Sequence, residues 1–392
     1  MMNRRNFLLA LSAVGGAGAL SLAHLNHSTS KVELLSSTID SLEKVKSPWL
    51  VSACSDNKGQ FFVAAFNLDG QVISKVALPA RGHDVLAIKS KPGHALVFAR
   101  RPGNFVLEVD FTRGEIVQQI EVSHNQHFYG HGVLVDNDNV LVSTENDYKQ
   151  GKGLIVLRDR STQKIIEQYD SGGVGPHEIA LMPNLNVSGA QASDTQLVIA
   201  NGGIKTHPSQ AREKLNLSTM QPNLAYMELN SGKVIDKYVL ENKQLSIRHL
   251  DVSAQGKVIA GLQYQGAYTD EVQLAISHHG EEQLQFLHAS NSTWRSMKHY
   301  TASVCINSAA NYVAITCPKA NLLTYWQLDN NQFIASYKLK DSAGLAMVNN
   351  SIITSTGRGR VTRQTNPQIS YEISADFSDY RWDNHMTVII PT

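Results

Sequence analysis

Short apolar segments alternate with turn residues along most of the chain. From Pro48 onward, no window keeps the 3.6-residue period of an amphipathic helix for three turns. Runs such as Phe61–Phe66, Phe105–Asp110 and Val258–Leu262 instead have the length and composition of strands. Clusters of Asn, Asp and Gly separate the runs, as in Asn67-Leu68-Asp69-Gly70. The pattern predicts an all-β protein.

Similar segments recur with a period of roughly 40 to 50 residues, which is typical of the four-stranded blades of a β-propeller. The strand starts that align are GHDVLAI at 82, GHGVLV at 130, PHEIAL at 176, RHLDVS at 248, YTASVCI at 300 and AGLAMV at 343. The interval between His177 and His249 is longer because it contains an insertion, residues 202–223, that interrupts the strand pattern. These segments supply six blades.

The end of the chain supplies the seventh. Its segment NHMTVI, residues 384–389, matches the other blade starts, while the region from Trp49 has only about three strands before the next start. A blade that combines both ends would close the ring and remove the open sheet edges. We therefore predict a seven-bladed β-propeller over residues 47–392, closed by the C-terminal strand, which pairs beside Trp49–Cys54.

The first residues form a separate segment. Asn3-Arg4-Arg5-Asn6-Phe7-Leu8-Leu9 is basic, an apolar stretch follows to about Ala23, and Ser21-Leu22-Ala23 fits a cleavage site. The paired arginines predict a cleaved twin-arginine export signal over residues 1–23, a linker over 24–46 and a periplasmic protein. An ordinary secretory signal and an uncleaved anchor are the alternatives. No later stretch has the ~20 apolar residues of a membrane helix, so we expect no stable membrane span after signal cleavage.

Composition narrows the class of partner. The 392 residues are 42% hydrophobic and 18% charged, as expected of a folded globular chain. The 35 basic and 34 acidic residues leave a net charge of +1, so the basic surface of a nucleic-acid-binding protein is not expected. Three cysteines do not make a disulfide framework. Buried thiols are expected, with a Cys305–Cys317 bridge as the alternative.

Histidine recurs at the blade starts. The innermost strands of a propeller line its central channel, so equivalent residues at their starts converge on one channel mouth. Five of the seven equivalent positions are histidine, and Ala302 and Ala343 or Gly344 occupy the other two. The candidate metal ligands are His83, His131, His177, His249 and His385. The histidines expected at the surface or in the leader are His24, His27, His94, His278, His279 and His288.

Five facing imidazoles would mostly be neutral, because like charges and burial both disfavour protonation. Neutral imidazole is a common ligand of iron, copper and zinc, whereas calcium and magnesium prefer oxygen. The pattern thus favours a transition metal. The alternatives are histidines that only hydrogen-bond backbone and water, and acid-base catalysis without a metal.

Charged residues near the histidines are candidates for ligand binding. Arginines of this kind bind anions through bidentate contacts, and carboxylates can support or join a metal site. The insertion, with its own histidine, is a candidate lid over the channel mouth. The candidate ligand-binding residues are Arg81, Arg101, Glu145, Glu178, His207 and Arg248. Ordinary surface solvation of the arginines and a packed surface excursion for the insertion are the alternatives.

Several motifs together resemble a known family. They are RGHD at 81, FARRPG at 98, YGHG at 129, STEND at 143, GVGPHE at 173, VIANGGIKTHP at 198, LNLSTMQPNL at 215 and LSIRHL at 245. With the twin-arginine leader, they resemble the bacterial domain of unknown function family 1513 over nearly the whole mature chain. The resemblance implies an exported propeller-like protein, often encoded beside imelysin-like proteins and a di-haem-peroxidase-like thiol oxidoreductase in iron-uptake clusters. Pro318-Lys319-Ala320-Asn321 departs from the Pro-Arg-Gly-Asn turn expected there, which weakens any arginine contribution from the sixth blade.

No nucleophile elbow, phosphate loop, dinucleotide fingerprint or paired-cysteine motif occurs in the sequence. We therefore expect a periplasmic accessory protein that binds a metal or an anionic metal complex in iron acquisition, with imelysin-like iron-uptake proteins as partners. A metal-dependent propeller enzyme, either a lyase or an oxidoreductase, is one alternative. A protein-interaction platform without a small ligand is the other.

Overall fold

Seven antiparallel sheets follow one another in a ring. The computed structural model describes residues 47–183, 195–210 and 213–391. The first strand of each sheet contacts the first strand of the next, and the last of these contacts the C-terminal strand. The predicted all-β, seven-bladed propeller is thus confirmed. The predicted export signal and linker, residues 1–46, lie outside the described residues.

The strands follow the predicted blade order. Blade 1 holds β1 (Trp49–Asp56), β2 (Phe61–Phe66) and β3 (Val72–Ala77). Blade 2 holds β4 (Gly82–Ala87), β5 (His94–Ala99), β6 (Phe105–Asp110) and β7 (Glu115–Glu121). Blade 3 holds β8 (Gln126–Val135), β9 (Val140–Asp147), β10 (Lys152–Asp159) and β11 (Ile165–Asp170). Blade 4 holds β12 (Pro176–Leu181), β13 (Gln196–Asn201), β14 (Asn223–Glu228) and β15 (Lys233–Val239).

The remaining blades continue in the same way. Blade 5 holds β16 (Leu245–Val252), β17 (Val258–Tyr264), β18 (Ala275–His278) and β19 (Gln285–Phe286). Blade 6 holds β20 (Val304–Asn307), β21 (Tyr312–Cys317), β22 (Leu322–Gln327) and β23 (Phe333–Lys338). Blade 7 holds β24 (Ser342–Val348), β25 (Ser351–Thr356), β26 (Arg360–Gln364) and β27 (Glu372–Asp376). The chain then returns to blade 1 with β28 (Tyr380–Trp382) and β29 (Thr387–Ile389).

Two short ladders close the ring on one edge of β1. β28 pairs with Cys54–Asp56, and β29 pairs with Trp49–Val51. Residues 383–386 lie between the two ladders and leave the regular pairing. Trp382 is buried against Phe66, with ring centroids 4.6 Å apart, and Ile389 is also buried. The predicted closure by the C-terminal strand is confirmed.

The inner strands of five blades carry a β-bulge at the aligned position. The pairing register shifts between Gly82 and Val85 in blade 2, and equivalent shifts occur in blades 3, 4, 5 and 7. A bulge inserts extra residues that are not paired in the ladder and redirects their side chains. In blades 2 to 5 the bulged residues include the histidines identified from the sequence. The bulge is therefore the local feature that turns these side chains out of the ladder.

The insertion of blade 4 runs between β13 and β14 and is tied to the neighbouring blades. The Tyr129 hydroxyl of blade 3 contacts Thr206, with an O–O distance of 3.1 Å. On the other side, Lys214 Nζ donates to Gln265 Oε1 at 2.6 Å. Met220 is buried within the segment. The insertion thus spans from blade 3 to blade 5, while residues 211 and 212 lie outside the described residues.

Helices are few in the described part of the chain. One short α-helix, Asn291–Ser296, is N-capped by Ser290, and its Trp294 stacks on Trp326 with ring centroids 4.8 Å apart. Within residues 47–183, 195–210 and 213–391, no helix has the length and apolarity needed to cross a membrane. Cys54, Cys305 and Cys317 are buried free thiols. The alternative of a Cys305–Cys317 bridge is therefore wrong.

We predict that truncation after Tyr380 abolishes cooperative folding. The deletion removes buried Trp382, Met386 and Ile389 and exposes the edge of β1. Burial of each such side chain stabilises a fold by roughly 1.5–3 kcal/mol, against a usual total of about 5–15 kcal/mol. Thermal unfolding followed by circular dichroism should show no sharp transition. Truncation after Ile390 is the control, and a truncated chain that melts like it would disprove the closing role.

Candidate metal centre

The five histidines of the blade starts converge in one cluster. His83, His131, His177, His249 and His385 are all buried. The centroids of neighbouring imidazole rings lie 4.6 Å apart for His83 and His385, 4.7 Å for His131 and His385, and 4.6 Å for His177 and His249. The longest centroid separation among the ring contacts is 6.2 Å, between His83 and His177. Five blades that are separate in sequence thus place their imidazoles in contact.

Three carboxylates orient the imidazole rings through Nδ1. Asp383 Oδ1 lies 3.0 Å from His83 Nδ1, and Glu178 Oε2 lies 3.0 Å from His249 Nδ1. Asp84 lies between two blades: Oδ2 is 3.3 Å from Nδ1 of His131, and Oδ1 is 3.7 Å from Nδ1 of His385. A carboxylate at one ring nitrogen fixes the ring and leaves the other nitrogen for a metal.

Several imidazole nitrogens in this cluster are buried without a hydrogen-bond partner. Both ring nitrogens of His131, Nε2 of His385 and Nδ1 of His177 have none among the described residues. Buried polar groups are nearly always hydrogen-bonded, so each exception needs an explanation. A metal ion would use these lone pairs as ligands. The donor set therefore fits a transition metal.

The geometry gives three overlapping sets of ligands, in each of which the ligand atoms lie within 4.8 Å of one another. The sets are His83 with His177 and His249, His83 with His131 and His385, and Glu178 with His249 and His385. Metal–nitrogen bonds of roughly 2.1 Å put ligands on opposite sides of one ion roughly 4.2 Å apart. Since 4.8 Å is an upper limit, ligand pairs on opposite sides of the ion need to close by at most roughly 0.6 Å. Any two of these sets share one histidine. The three sets therefore describe alternative positions for a single ion.

Burial keeps most of the cluster neutral. Desolvation lowers the pKa of His83, His177 and His249 well below its usual value and lowers that of His385 to about 4. For His131, burial also acts to lower the pKa, but the charges of Glu178 and Asp84 outweigh it and raise the pKa. Neutral imidazole is the form that binds metals, as expected from the sequence.

The three carboxylates of the cluster differ in the direction in which their pKa values are shifted. Burial acts to raise the pKa of Asp84, but His385 and His131 outweigh it and lower the pKa. Burial likewise opposes ionisation of Asp383, but His83 and two arginines hold its pKa well below the usual range. Burial raises the pKa of Glu178. The cluster therefore combines neutral nitrogen ligands with carboxylates that favour a cation.

Small residues replace histidine in blades 6 and 7 because the C-terminal segment passes there. A Cβ on Gly344 would lie 2.9 Å from the backbone carbon of His385, so a larger residue would displace that segment. Ser303 Oγ of blade 6 donates to the carbonyl of Asn384 at 2.8 Å, and Ser52 Oγ of blade 1 donates to that of His385 at 2.6 Å. These contacts hold His385 in place against the other four imidazoles.

Arginines occupy one side of the cluster. Arg101 and Arg248 line a small cavity of about 60 Å³ together with His83, His177 and His249. Burial, reinforced by the neighbouring charge of Arg101, lowers the pKa of Arg248 to about 9. This cavity includes two of the arginines predicted to bind a ligand.

The other candidate ligand-binding residues lie in different settings. Glu178 belongs to one of the ligand sets. Arg81 is half exposed and binds Asp383 at 2.6 Å, so it supports the carboxylate of His83. The Glu145 carboxylate is buried and engaged by Arg158 and Ser143. His207 lies in the insertion, where its Nδ1 contacts Ser209 Oγ at 2.7 Å and its ring packs against Tyr148.

Two of the orienting carboxylates, Asp84 and Asp383, were not among the candidate site residues predicted from the sequence. Asp84 directly follows His83, and Asp383 precedes His385 by two residues, so an acidic residue beside the repeated histidine was the available signal. The expectation that His278 is solvated is wrong. It is buried in β18, and its Nδ1 lies 2.6 Å from the Tyr226 hydroxyl.

We predict that the metal-free protein loses stability as the pH falls from about 6.5 to 4. His83, His177, His249 and His385 stay neutral in the folded state, whereas the unfolded chain takes up protons on them below about 6.5. His131, Glu178 and Asp251, whose pKa values are raised, contribute in the opposite direction and are outnumbered. The free energy of unfolding should fall by at least about 1 kcal/mol per pH unit, the slope for one net proton.

Chemical denaturation at pH 7, 6 and 5 in the presence of a chelator measures this slope. His177→Gln should reduce it, because the variant lacks one of the depressed imidazoles, whereas exposed His288→Ala should not. A stability that is flat over this range would contradict buried neutral histidines.

Comparison with known proteins supports the fold and shows the family. Hydrazine synthase of Kuenenia stuttgartiensis is similar with a TM-score of 0.60 and 11% identity, covering 83% of this chain and 97% of its own. A hypothetical selenium-binding protein of Sulfolobus tokodaii gives a TM-score of 0.61 and 12% identity, covering 88% and 94%. A functionally unknown protein of Desulfotomaculum acetoxidans gives 0.53 and 7%, covering 88% and 99%. At such identities the likeness concerns the fold alone.

No curated protein matches the chain. The family described as protein of unknown function (DUF1513) matches residues 76–389, which include all five histidines of the cluster. The chain therefore belongs to the DUF1513 family.

Proposed function

We propose that this protein binds one transition-metal ion in the histidine cluster. The observation that carries the proposal is the cluster of five buried imidazoles from five blades, in which ring nitrogens of His131, His177 and His385 have no hydrogen-bond partner among the described residues. A histidine that only stabilised the channel would be expected to use both nitrogens in hydrogen bonds when buried. Here Asp383 and Glu178 contact Nδ1 of His83 and His249, and Asp84 lies near Nδ1 of His131 and His385, whose Nε2 atoms are buried without a partner.

Iron is the metal we propose. Glu178, His249 and His385 form a set of two histidines and one carboxylate, which is the ligand combination typical of non-haem iron(II) with open positions. The two sets made only of histidine would suit zinc or copper. When bound, the metal would supply a Lewis-acidic or redox-active centre. The residues of the chain hold it, exclude bulk water and keep the imidazoles neutral.

The proposal extends to a role in the periplasm. The basic segment around Arg4 and Arg5 and the resemblance of the motifs to exported proteins of iron-uptake clusters support export and a part in iron acquisition. In this role the protein would act as an accessory that holds iron, or an anionic iron complex, for imelysin-like proteins. Metal analysis of the protein isolated from periplasm tests the location and the metal together.

A metal-dependent enzyme, a lyase or an oxidoreductase, is the second candidate. The observation that favours it is the cavity lined by Arg101 and Arg248, which adjoins the histidines and offers a place for a small substrate. Turnover of small carboxylic acids by the iron-loaded protein would distinguish this candidate from a binding protein.

We predict that the metal-free protein binds one iron(II) ion per chain under anaerobic conditions. Replacement of His249 or His385 by alanine disrupts two of the three ligand sets, whereas replacement of His131 disrupts one. The affinity for iron(II) should therefore fall by about 100-fold or more in the His249 and His385 variants and by less in the His131 variant. Loss of a ligand should cost at least as much affinity as loss of a residue that orients a ligand. Calorimetric titration measures both stoichiometry and affinity.

His288→Ala is the matched control, because His288 is exposed and belongs to none of the ligand sets. Glu178→Gln should lower the affinity for iron(II) more than that for zinc, since it disrupts the only carboxylate-containing set among the described residues. Equal binding of metal by the wild type, the His249 variant and the His288 control would refute the centre.

We also predict that Asp383→Asn weakens metal binding by about 10- to 100-fold without unfolding the protein. Asp383 orients His83 and is itself held by Arg81 and Arg100. The amide keeps the size of the side chain and loses the charge that favours the oriented imidazole. An unchanged metal affinity with an unchanged circular dichroism spectrum would show that this carboxylate is not a positioning residue.

A further inference from the structure

Arg248 is a buried charge without a counter-ion. Only 3% of its surface is exposed, and its Nε has no hydrogen-bond partner. Within the described part of the chain, no carboxylate lies within 4.0 Å of its guanidinium. Arg158 is buried to a similar degree, but its guanidinium binds the Glu145 carboxylate and the Ser143 hydroxyl. A buried arginine that lacks such partners is unfavourable unless a ligand supplies them.

Arg101 meets Arg248 in the same cavity. Its Nη1 is also buried without a hydrogen-bond partner, and its guanidinium lies 5.8 Å from the centre of the Tyr129 ring. Burial lowers the pKa of Arg248, and the positive charge of Arg101 adds to this effect. Neither forms an ion pair within residues 47–183, 195–210 and 213–391. By contrast, Arg100, which also lines the cavity, is neutralised by Asp383 at 3.2 Å.

The cavity has the size of a small anion. Its volume is about 60 Å³, and its walls include Tyr129, Tyr300 and Gln263, which supply further hydrogen-bonding groups. This space admits a carboxylate-sized group but not a nucleotide or a haem. Guanidinium groups bind planar oxyanions through two parallel hydrogen bonds.

Further positive charge surrounds the entrance. Lys319 Nζ lies 4.2 Å from the centre of the Tyr300 ring. Burial lowers the pKa of Lys214 in the insertion, and the charges of Arg248, Lys319 and Arg101 add to this effect. Cations around a cleft raise the local concentration of an anionic ligand. The rim thus favours the same charge of ligand as the buried arginines.

We propose that Arg248 and Arg101 form a binding site for a small oxyanion of the carboxylate class, next to the metal centre. This inference rests on the proposed function in one respect, the metal ion that lies next to the anion. His83, His177 and His249 line the same cavity and also form one of the metal-ligand sets. The anion supplies the missing counter-charge of the two arginines. An anion beside a metal cation also stabilises it, so each ligand strengthens the binding of the other.

The oxyanion can be a free small anion or the carboxylate of an organic iron chelate. Acetate and bicarbonate probe the first source, and ferric citrate probes the second. Chloride at equal ionic strength controls for general screening. Binding is measured by calorimetry and by the shift in melting temperature, first on the metal-free protein and then on the metal-loaded protein.

The metal-free wild type should bind acetate or bicarbonate, and Arg248→Met should weaken this binding by about 10- to 100-fold, as for a lost charge-assisted contact. Arg101→Gln should weaken it less. The control is Arg360→Gln, because Arg360 is an exposed residue of β26 that pairs with Asp376. Metal loading should raise the anion affinity at least 5-fold, with the reciprocal effect on the metal. Preference for ferric citrate over acetate identifies the chelate as the source.

The melting temperature distinguishes a failed site from a failed fold. In buffer without the anion, Arg248→Met should melt at a higher temperature than the wild type, because it removes an unpaired buried charge. A wild type that responds to acetate, bicarbonate and ferric citrate no more than to chloride overturns the anion site, even if it binds metal. If the protein binds the anion but no metal, the anion site is supported and the metal centre is refuted.

Discussion

The pairing of the C-terminal segment with β1 is the interaction on which the rest of the structure depends. It closes the ring through two short ladders, and the four residues between them leave the regular pairing. Those residues include Asp383, which orients His83, and His385, which belongs to two of the ligand sets. Closure of the fold and completion of the centre are therefore one event. A chain that has not closed its ring lacks both groups, so the complete metal site can form only in the closed fold.

The bulges explain how a seven-bladed ring brings five imidazoles into contact. Regular inner strands would give every inner residue a partner in the ladder and keep the channel open. The shifts at the histidine positions break this regularity in blades 2 to 5, and the open segment after β28 does the same in blade 1. The small residues Ala343 and Gly344 then let the segment of His385 approach. The cluster is thus formed by five consecutive blades, with small residues on the remaining two.

Much of this arrangement could be predicted from the sequence, because it repeats. The blade period and the recurrent histidine identify equivalent positions, and equivalent positions of a propeller converge. The carboxylates were harder to assign, since Asp84 serves His131 and His385 of other blades instead of the adjacent His83. That pairing depends on the curvature of the ring and on the bulges. Similarly, Glu145 belongs to a polar segment that resembles a site in the sequence, but it lies within β9 and its partner Arg158 is on the neighbouring strand β10. Sequence spacing does not reveal which buried charges neutralise one another.

The charged residues around the histidine cluster are unevenly distributed. Asp84 and Glu178 lie among the histidines with few cationic partners, whereas Arg101 and Arg248 lie on the cavity side without anionic ones. If these carboxylates and guanidiniums were in direct contact, they would neutralise each other as Glu145 and Arg158 do. The rings of His83, His177 and His249 line the cavity together with the arginines, whereas Asp84 and Glu178 contact Nδ1 of His131, His249 and His385. Among the described residues, no ion pair joins these carboxylates to these arginines. Buried charges without partners are unfavourable, so this arrangement supports the proposal of a cation among the carboxylates and an anion between the arginines.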